Sequence, residues 1–513
     1  MAQENLDLQY LKLSKFGRFW WKVAHFFTGI PGWFKNLGIS IFKYIKKFFA
    51  YIGNIFLDVF YTFKNGDWKT RMSFFIMGFG SIARGQILRG LLFFIFEAVF
   101  IFYMIFAGGH WLSLLPSLGE TGPEVQIYDP DLDTYISRFH DNSFKILLYG
   151  VLTIFFIIAL IYAWYLNIKQ NKISQEILAN KKKLKTAGDD IKSLVDNEFH
   201  KTLLALPTLG IIVFMVLPIV FMILVAFTNY DGMHNGYTNA LWDWMGMKNF
   251  ATIFDWSTST GAYSAAFGEI VTWTLIWAFF ATFSNYFLGM VVAMMINKKG
   301  IKLKKLWRTI LVLTIAIPQF ISLIYVAKMF AYNGIINNVL GKLFNIAPIH
   351  FLDDSANKWV ARGTVIVINI WIGIPYLMLI VSGILMNIPQ DLYESSKIDG
   401  ASGFQQFSRI TLPYMLFVTG PYLLTSFTGN MNNFNVIYLL TGGAPIITGL
   451  SGANGNAGST DLLVTWLFKI TTGTESSYYM ASVIGILIFV IVAVISLVVY
   501  NILPSNKNEE DFQ

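Results

Sequence analysis

Long apolar runs separated by short polar stretches dominate the chain. Those near 88 to 108, 146 to 167, 203 to 228, 267 to 296, 306 to 331, 362 to 386, 413 to 440 and 478 to 503 each reach far enough to cross a bilayer. Eight such runs predict an all-helical, multi-pass membrane protein. Between Gly38 and Phe63 the pattern changes, because Lys43, Lys46, Lys47, Asn54 and Asp58 keep to one side of a helix while aromatic and aliphatic residues cover most of the remainder. Three closely spaced lysines disfavour a crossing and predict a basic amphipathic helix lying in the inner interface. The expected organisation is a basic-aromatic cytoplasmic or interfacial region over 1–87, two spans and a basic connector over 88–202, a larger transmembrane domain over 203–503 with a polar loop at 387–413, and a cytoplasmic tail over 504–513.

Composition agrees with that pattern: 55% of the 513 residues are hydrophobic and 13% charged, too apolar for an ordinary soluble domain. With no cysteine, disulfides, thiolate metal sites and cysteine nucleophiles are excluded together. The first 35 residues carry Lys12, Lys15, Arg18, Lys22 and Lys35 without a clean apolar core or a small-residue cleavage site, so no removable signal peptide is expected.

Basic residues set the expected orientation. Segment 168–202 carries Lys169, Lys172, Lys181, Lys182, Lys183, Lys185, Lys192 and Lys201, and 297–308 adds a second dense cluster, so both face inward. Segment 109–144 sets Glu120, Glu124, Asp129, Asp131, Asp133 and Asp141 against Arg138, and 229–262 has Lys248 as its sole basic residue, so both face outward. Alternation then puts both termini and the 387–413 loop in the cytoplasm of a cell-membrane protein. The net charge of +8 reports these loops and anionic lipid headgroups, and no nucleic-acid partner is expected.

The loop from Asn387 to Pro413 is punctuated as two short helices with a sharp break. Pro389 suits a first helical turn, while Asp391 and Glu394 complement the helix dipole. Gly400 ends the first helix, and Ser402 with Gln405 has the form of a capping box that starts the second. Such an elbow, tethered between two spans, has the shape needed to plug into a groove on a soluble partner. Glu394-Ser395-Ser396, then Gly400, then Ile410-Thr411-Leu412-Pro413 resembles the EAA loop of ABC-importer permeases, with Ser-Ser standing for Ala-Ala. Residues from about 203 to 503 resemble the membrane subunit of carbohydrate importers, nearest to the maltose/maltodextrin type.

That resemblance implies half of a sugar channel. The implied partners are a homologous second permease, two cytoplasmic ATPases that use ATP and Mg, an extracellular sugar-binding protein, an oligosaccharide substrate and membrane lipid. It assigns ATPase coupling to Glu394, Ser395, Ser396, Asp399, Gly400, Ile410, Leu412 and Pro413. The chain lacks a phosphate loop of the form Gly-x-x-x-x-Gly-Lys-Ser/Thr, so it is not expected to hydrolyse nucleotide or to hold a cofactor of its own.

Two spans carry polar residues where lipid penalises them. In the first, Asn369, Ile372, Gly373, Tyr376 and Ile380 share a helical face beside Pro375; in the second, Ser426, Asn430, Asn433 and Ile437 do so by the same spacing. A neutral sugar needs hydroxyl and amide partners and an aromatic surface, without the desolvation cost of buried ions. The alternative is that these amides merely join helices. Trp371-Ile-Gly-Ile-Pro-Tyr376 and Ser426-Phe-Thr-Gly-Asn-Met-Asn-Asn-Phe434 look like the sugar-path segments of maltose-type permeases, with Gly429 where a bulkier aromatic is expected. Their shared path residues are Asn369, Gly373, Tyr376, Ser426, Gly429, Asn430 and Asn433.

Glu97 is the one carboxylate deep in an apolar run and has no evident partner. His25, His110, His140, His200, His234 and His350 are too scattered for a metal site. The glycine-rich stretch 450–458 reads as a flexible outward segment. Rival readings are an ion-coupled secondary sugar transporter, which needs paired intramembrane charges or inverted repeats, and a membrane glycan enzyme, which needs convergent acidic or nucleophilic groups. Neither requirement is visible in the sequence.

Overall fold

The computed structural model describes residues 15–120, 125–130, 132–138, 141–237, 240–255, 261–298, 300–447, 457–473 and 476–502. Lys12, Glu124, Asp131, His140, the greater part of 450–458 and the 504–513 tail lie outside the described residues. The chain forms two compact units, one of Met1–His110 with Leu152–Gly210 and one of Trp111–Val151 with Ile211–Gln513.

The first unit opens with α1, Lys15–Asn65, which carries the predicted amphipathic segment. Phe42, Tyr44, Phe48, Phe49, Phe56 and Phe60 along it are exposed. Two short helices, α2 (Trp68–Met72) and α3 (Phe79–Ile82), then lead into α4 (Ile87–Leu114). Asp67 starts α2 by accepting from the Thr70 amide at 2.8 Å, and it meets the Arg84 guanidinium at 2.6 Å. Gly78 has φ +82°, and a Cβ there would stand 2.0 Å from the carbonyl oxygen of Gly90, so the backbones cross where no side chain fits.

Polar groups bind this turn region to α5 (Ser143–Ala179). Arg84 donates to Asn171 Oδ1 at 2.7 Å, Asn167 receives the Gly78 amide at 3.0 Å and donates to the Ser73 carbonyl at 2.9 Å, and Trp164 donates to the Phe74 carbonyl at 3.0 Å. Glu97 accepts from the Met77 amide at 2.8 Å, so the lone carboxylate closes an orphan backbone donor. A capping box formed by Thr186 and Asp189 opens α6 (Ala187–Val195), and Asp190 pairs with Arg89 at 2.5 Å.

In the second unit a β-hairpin, β1 (Val125–Asp129) with β2 (Thr134–Arg138), occupies part of the acidic segment, a small departure from the all-helical expectation. Helix α7 (Phe199–Val225), whose start up to Gly210 belongs to the first unit, is interrupted by a π-helical turn at Ile212–Val216 and leads to α8 (Lys248–Phe254). The long α9 (Gly261–Asn297) is the spine. Its successive sections, Ala266 to Ile270, Trp273 to Ala281 and Tyr286 to Ile296, enter three separate packed clusters. Small residues permit the close approach, since a Cβ on Gly289 would meet Leu377 Cβ at 2.8 Å.

Helices α10 (Lys304–Ala316) and α11 (Gln319–Met329) occupy the expected 306–331 span, but they meet at 92°. Pro318 lacks an amide proton and forces Ile317 into extended geometry at φ −83°, ψ 125°, which breaks the helix. After α12 (Ile335–Phe344), α13 (Lys358–Leu385) runs unbroken through Pro375. The elbow supplies α14 (Gln390–Ile398), and α15 (Gly403–Met431) follows. The expected 413–440 span is thus cut short: α15 ends at Met431, and Asn433 caps a separate helix, α16 (Phe434–Leu440). Helices α17 (Leu463–Thr472) and α18 (Tyr478–Ile502) complete the unit. Seven helices among the described residues are long and apolar enough to cross a membrane, eight if the bent pair is one span.

Candidate functional site: a polar cavity and a two-helix elbow

A cavity of about 360 Å³ opens in the second unit where α9, the break between α10 and α11, α13 and α15 converge. That size lies within the roughly 300–1,000 Å³ of small-molecule sites. Asn369, Gly373, Tyr376, Ser426, Asn430 and Asn433 all line it, so two stripes chosen from separate spans reach one space. Gly429 does not line it, and a Cβ placed there would meet nothing within 4 Å.

The shared-face assignment for α15 needs correction. Asn433 lies beyond the helix end, so it and Ile437 do not continue the Ser426–Asn430 face; Ile437 is buried in the α9–α13 cluster instead. Asn433 reaches the cavity because the chain turns there, and its carboxamide oxygen caps α16 by accepting from the Val436 amide at 3.4 Å.

Asn430 is held at three points, one being its Oδ1, which accepts from Asn433 Nδ2 at 3.4 Å. Its Nδ2 donates to Thr282 Oγ1 at 3.0 Å, and its carbonyl, near the open end of α15, accepts from Trp277 Nε1 at 3.1 Å. It joins helices and also faces the cavity. Tyr376 is half exposed on the cavity wall, and Tyr422 shares a hydrogen bond with Ser426.

Asn285 on α9, Gln319 at the helix break and Tyr422 on α15 also line the cavity and were not foreseen from the sequence. Asn285 follows Thr282 and Ser284 in an otherwise apolar run, and its partner surface comes from α13, which no spacing rule within α9 reveals. For Gln319 a signal existed: Ile317-Pro318 predicts a break, and broken helices are tolerated in membranes where they face a cavity. Gly373 has its own reason for lacking a side chain, since a Cβ there would come 2.4 Å from Asn285 Nδ2. None of the described residues lining the cavity is charged.

A charge pair does occur elsewhere in the unit, contrary to expectation. Glu269 on α9 and Arg362 on α13 meet at 3.1 Å. Arg362 is buried, donates from Nε to the Ser459 carbonyl at 2.8 Å and lies over the Trp273 ring at 4.8 Å. Each of these contacts fixes the guanidinium in one place, so the pair clamps α9, α13 and the 459–461 turn. In that turn the fully buried Asp461 meets Lys469 at 2.7 Å and accepts from the Gly458 amide at 2.7 Å.

The elbow breaks where its punctuation predicts, although Pro389 stands before α14 in non-helical geometry instead of in its first turn and the second helix is not short but runs on into the membrane as α15. Asp399 ends α14, Gly400 takes φ +75°, and the Gly400 and Ala401 amides return to the Lys397 and Ser396 carbonyls at 3.0 and 2.9 Å, a Schellman closure. Ser402 and Gln405 form the full capping box, with the Ser402 amide donating to Gln405 Oε1 at 2.7 Å. The two arms are then tied together. Gln406 donates to Ser396 Oγ at 2.7 Å and to the Tyr393 carbonyl at 3.0 Å, and Tyr393 and Thr411 share a 2.8 Å hydrogen bond.

Ser396 therefore holds the arms together, beyond being small, whereas Ser395 stays on the exposed side. Ile410, Leu412 and Pro413 sit where a π-helical turn at Phe407–Thr411 passes into the body of α15. Glu394 is exposed, as are Leu392, Ile398 and Phe404, with Ile398 at 87% and Phe404 at 77%, so the elbow offers an apolar tip beside a carboxylate.

Residues 285–507 match the family described as binding-protein-dependent transport system inner membrane component. The chain is 34% identical to the maltodextrin transport system permease protein MalC of Streptococcus pneumoniae over 450 residues, which cover 86% of this chain and 97% of that one. Identity is also 34% to the maltodextrin transport system permease protein MdxF of Bacillus subtilis, over 85% of this chain and 95% of the relative. It is 33% to the galactooligosaccharides transport system permease protein GanP of Bacillus subtilis, over 74% and 87%. The cavity, the elbow and these matches agree, and the chain belongs to the binding-protein-dependent transport system inner membrane components, the multi-pass, non-catalytic permease subunits of ABC importers.

Proposed function

We propose that this permease forms one half of a channel for a neutral oligosaccharide, of the maltodextrin class, and that the α9–α13–α15 cavity is where the sugar passes. The observation that carries this reading is the cavity lining: amides, hydroxyls and Tyr376, with no charged side chain among the described residues. Asn369, Gly373, Tyr376, Ser426, Asn430 and Asn433 contribute to the path, and Gly429 contributes room beside it. The names of the relatives support a sugar and leave glucan and galactan as competing outcomes of one experiment.

Energy enters through the elbow, which points into the cytoplasm together with both termini. Glu394 and the exposed tips of Leu392, Ile398 and Phe404 dock into a groove on one of two ATPase subunits, where ATP and Mg are used; this chain holds no cofactor itself. A homologous permease completes the channel, an extracellular sugar-binding protein delivers substrate to the outward loops, and α1 lies along the inner membrane surface.

The test is uptake of labelled maltotriose and of the galactose trisaccharide into vesicles containing the complete importer, with and without internal ATP. ATP-dependent maltotriose uptake that Gly400→Val uncouples is expected, because a β-branched residue is strained at φ +75°. Uptake that follows an ion gradient without ATP, or unimpaired coupling in Gly400→Val, overturns the proposal.

A further inference from the structure

Two residues that line the cavity each carry a buried side-chain atom with no hydrogen-bond partner among protein groups: Asn285 Oδ1 and Asn369 Nδ2. Both residues are deeply buried, at 7% and 5% exposure, so bulk water does not compensate them. Each is a desolvation cost that the fold carries without return unless something in the cavity pairs with it.

Asn285 is the more informative of the two, because its orientation is fixed. Its Nδ2 donates to the Ala281 carbonyl at 2.8 Å, one turn back on α9, which assigns the other end of the amide as acceptor. Gly373 of α13 lies against the same amide, which occupies the place a Cβ there would take. An oriented, buried acceptor and a buried donor on facing helices suit a group that both donates and accepts, and a hydroxyl does both. A carboxylate or phosphate has no proton to give Asn285 Oδ1, and no cation among the described lining residues attracts one.

We propose that Asn285 is a specificity-determining residue of the sugar path: its Oδ1 accepts a hydrogen bond from a secondary hydroxyl of the transported sugar, while Asn369 Nδ2 donates to the same ring. This rests on the oligosaccharide reading above and adds a residue from α9, a helix outside the two sequence stretches that suggested the path. It also gives Gly373 a defined part, since its missing side chain leaves the space in which the Asn285 amide is held.

The experiment measures ATP-driven uptake, per folded transporter, of maltotriose and of a panel of its monodeoxy analogues in vesicles containing the complete importer. The wild type should reject at least one analogue by about tenfold, the size expected for one lost hydrogen bond. In Asn285→Ala that ratio should fall to about two or less while the favoured analogue is still carried. Gly373→Ala, which pushes the amide aside without altering it, should lower the same ratio.

A wild type indifferent to every deoxy position overturns the proposal whether or not the variants fold. So does an Asn285→Ala variant that keeps the full ratio, or one that slows maltotriose and all analogues equally. A wild type that carries neither maltotriose nor the galactose trisaccharide sinks the oligosaccharide reading itself, a result distinct from these.

Discussion

The polar cluster around Arg84 in the first unit and the cavity around Asn285 in the second both set asparagines inside apolar surroundings, and each leaves two buried polar atoms unpaired, Ser81 Oγ and Arg84 Nε in one, Asn285 Oδ1 and Asn369 Nδ2 in the other, yet they differ in what those groups lie beside. Arg84 has 1% side-chain exposure, and its terminal nitrogens reach Asp67, Thr70, Asn171 and the Gly80 carbonyl. Asn167 and Glu97 are likewise taken up by backbone groups of the turn between α2 and α4. Asn285 and Asn369 instead line a cavity, and one acceptor and one donor on them have no partner in the protein. Around Arg84 the guanidinium and the amides hold backbone and neighbouring side chains, and around Asn285 the unpaired atoms belong to residues that line a cavity.

The largest effect should come from Gly78→Val. The new side chain meets the Gly90 backbone at a position whose φ of +82° disfavours it, so folded transporter should fall to a small fraction of wild type by fluorescence-detected gel filtration. Arg84→Ala should come next. It leaves several buried acceptors unpaired at about 1–3 kcal/mol each, and thermal unfolding in detergent should move down clearly while uptake per folded molecule stays near wild type. Normal stability with reduced uptake would place Arg84 in the transport machinery and erase the contrast.

Tyr376→Ala should give the reverse signature, with uptake per folded molecule down about tenfold and unfolding temperature little changed, because the ring is half exposed on the cavity wall. Asn430→Ala is the case between the two classes. Losing the Thr282 bond and a cavity-facing amide together should lower stability by about 1 kcal/mol and uptake by several-fold, whereas a change in only one of these would assign Asn430 to one class. The smallest effect should be at Gly363→Ala in α13, away from the cavity. A Cβ there meets nothing within 4 Å, so helix propensity should add up to about 1 kcal/mol of stability with uptake unchanged.

Local chemistry carried a large part of the structure. Apolar run length fixed the spans because a helix must satisfy its own backbone in lipid, and the break of the elbow was legible residue by residue: Gly400, Ser402 and Gln405 each act through neighbours within a few positions. The stripe on α13 was legible for the same reason, since Asn369, Gly373 and Tyr376 lie on one unbroken helix. Where the reading went astray, a non-local or terminating effect had intervened. Pro318 bent one span by 92°, and the end of α15 at Met431 moved Asn433 off the face assigned to it.

The sequence by itself determined the helical membrane class, the elbow and the helical face of α13 that meets the cavity, all consequences of interactions across three or four residues. Only the tertiary structure decided which polar groups are satisfied. Glu97 meets the Met77 amide twenty residues away, Arg362 meets Glu269 across 93 residues, and Asn285 is held by a glycine on another helix. Whether a buried amide closes a bond or faces a cavity depends on where a second helix lies, and that is set by packing between distant segments.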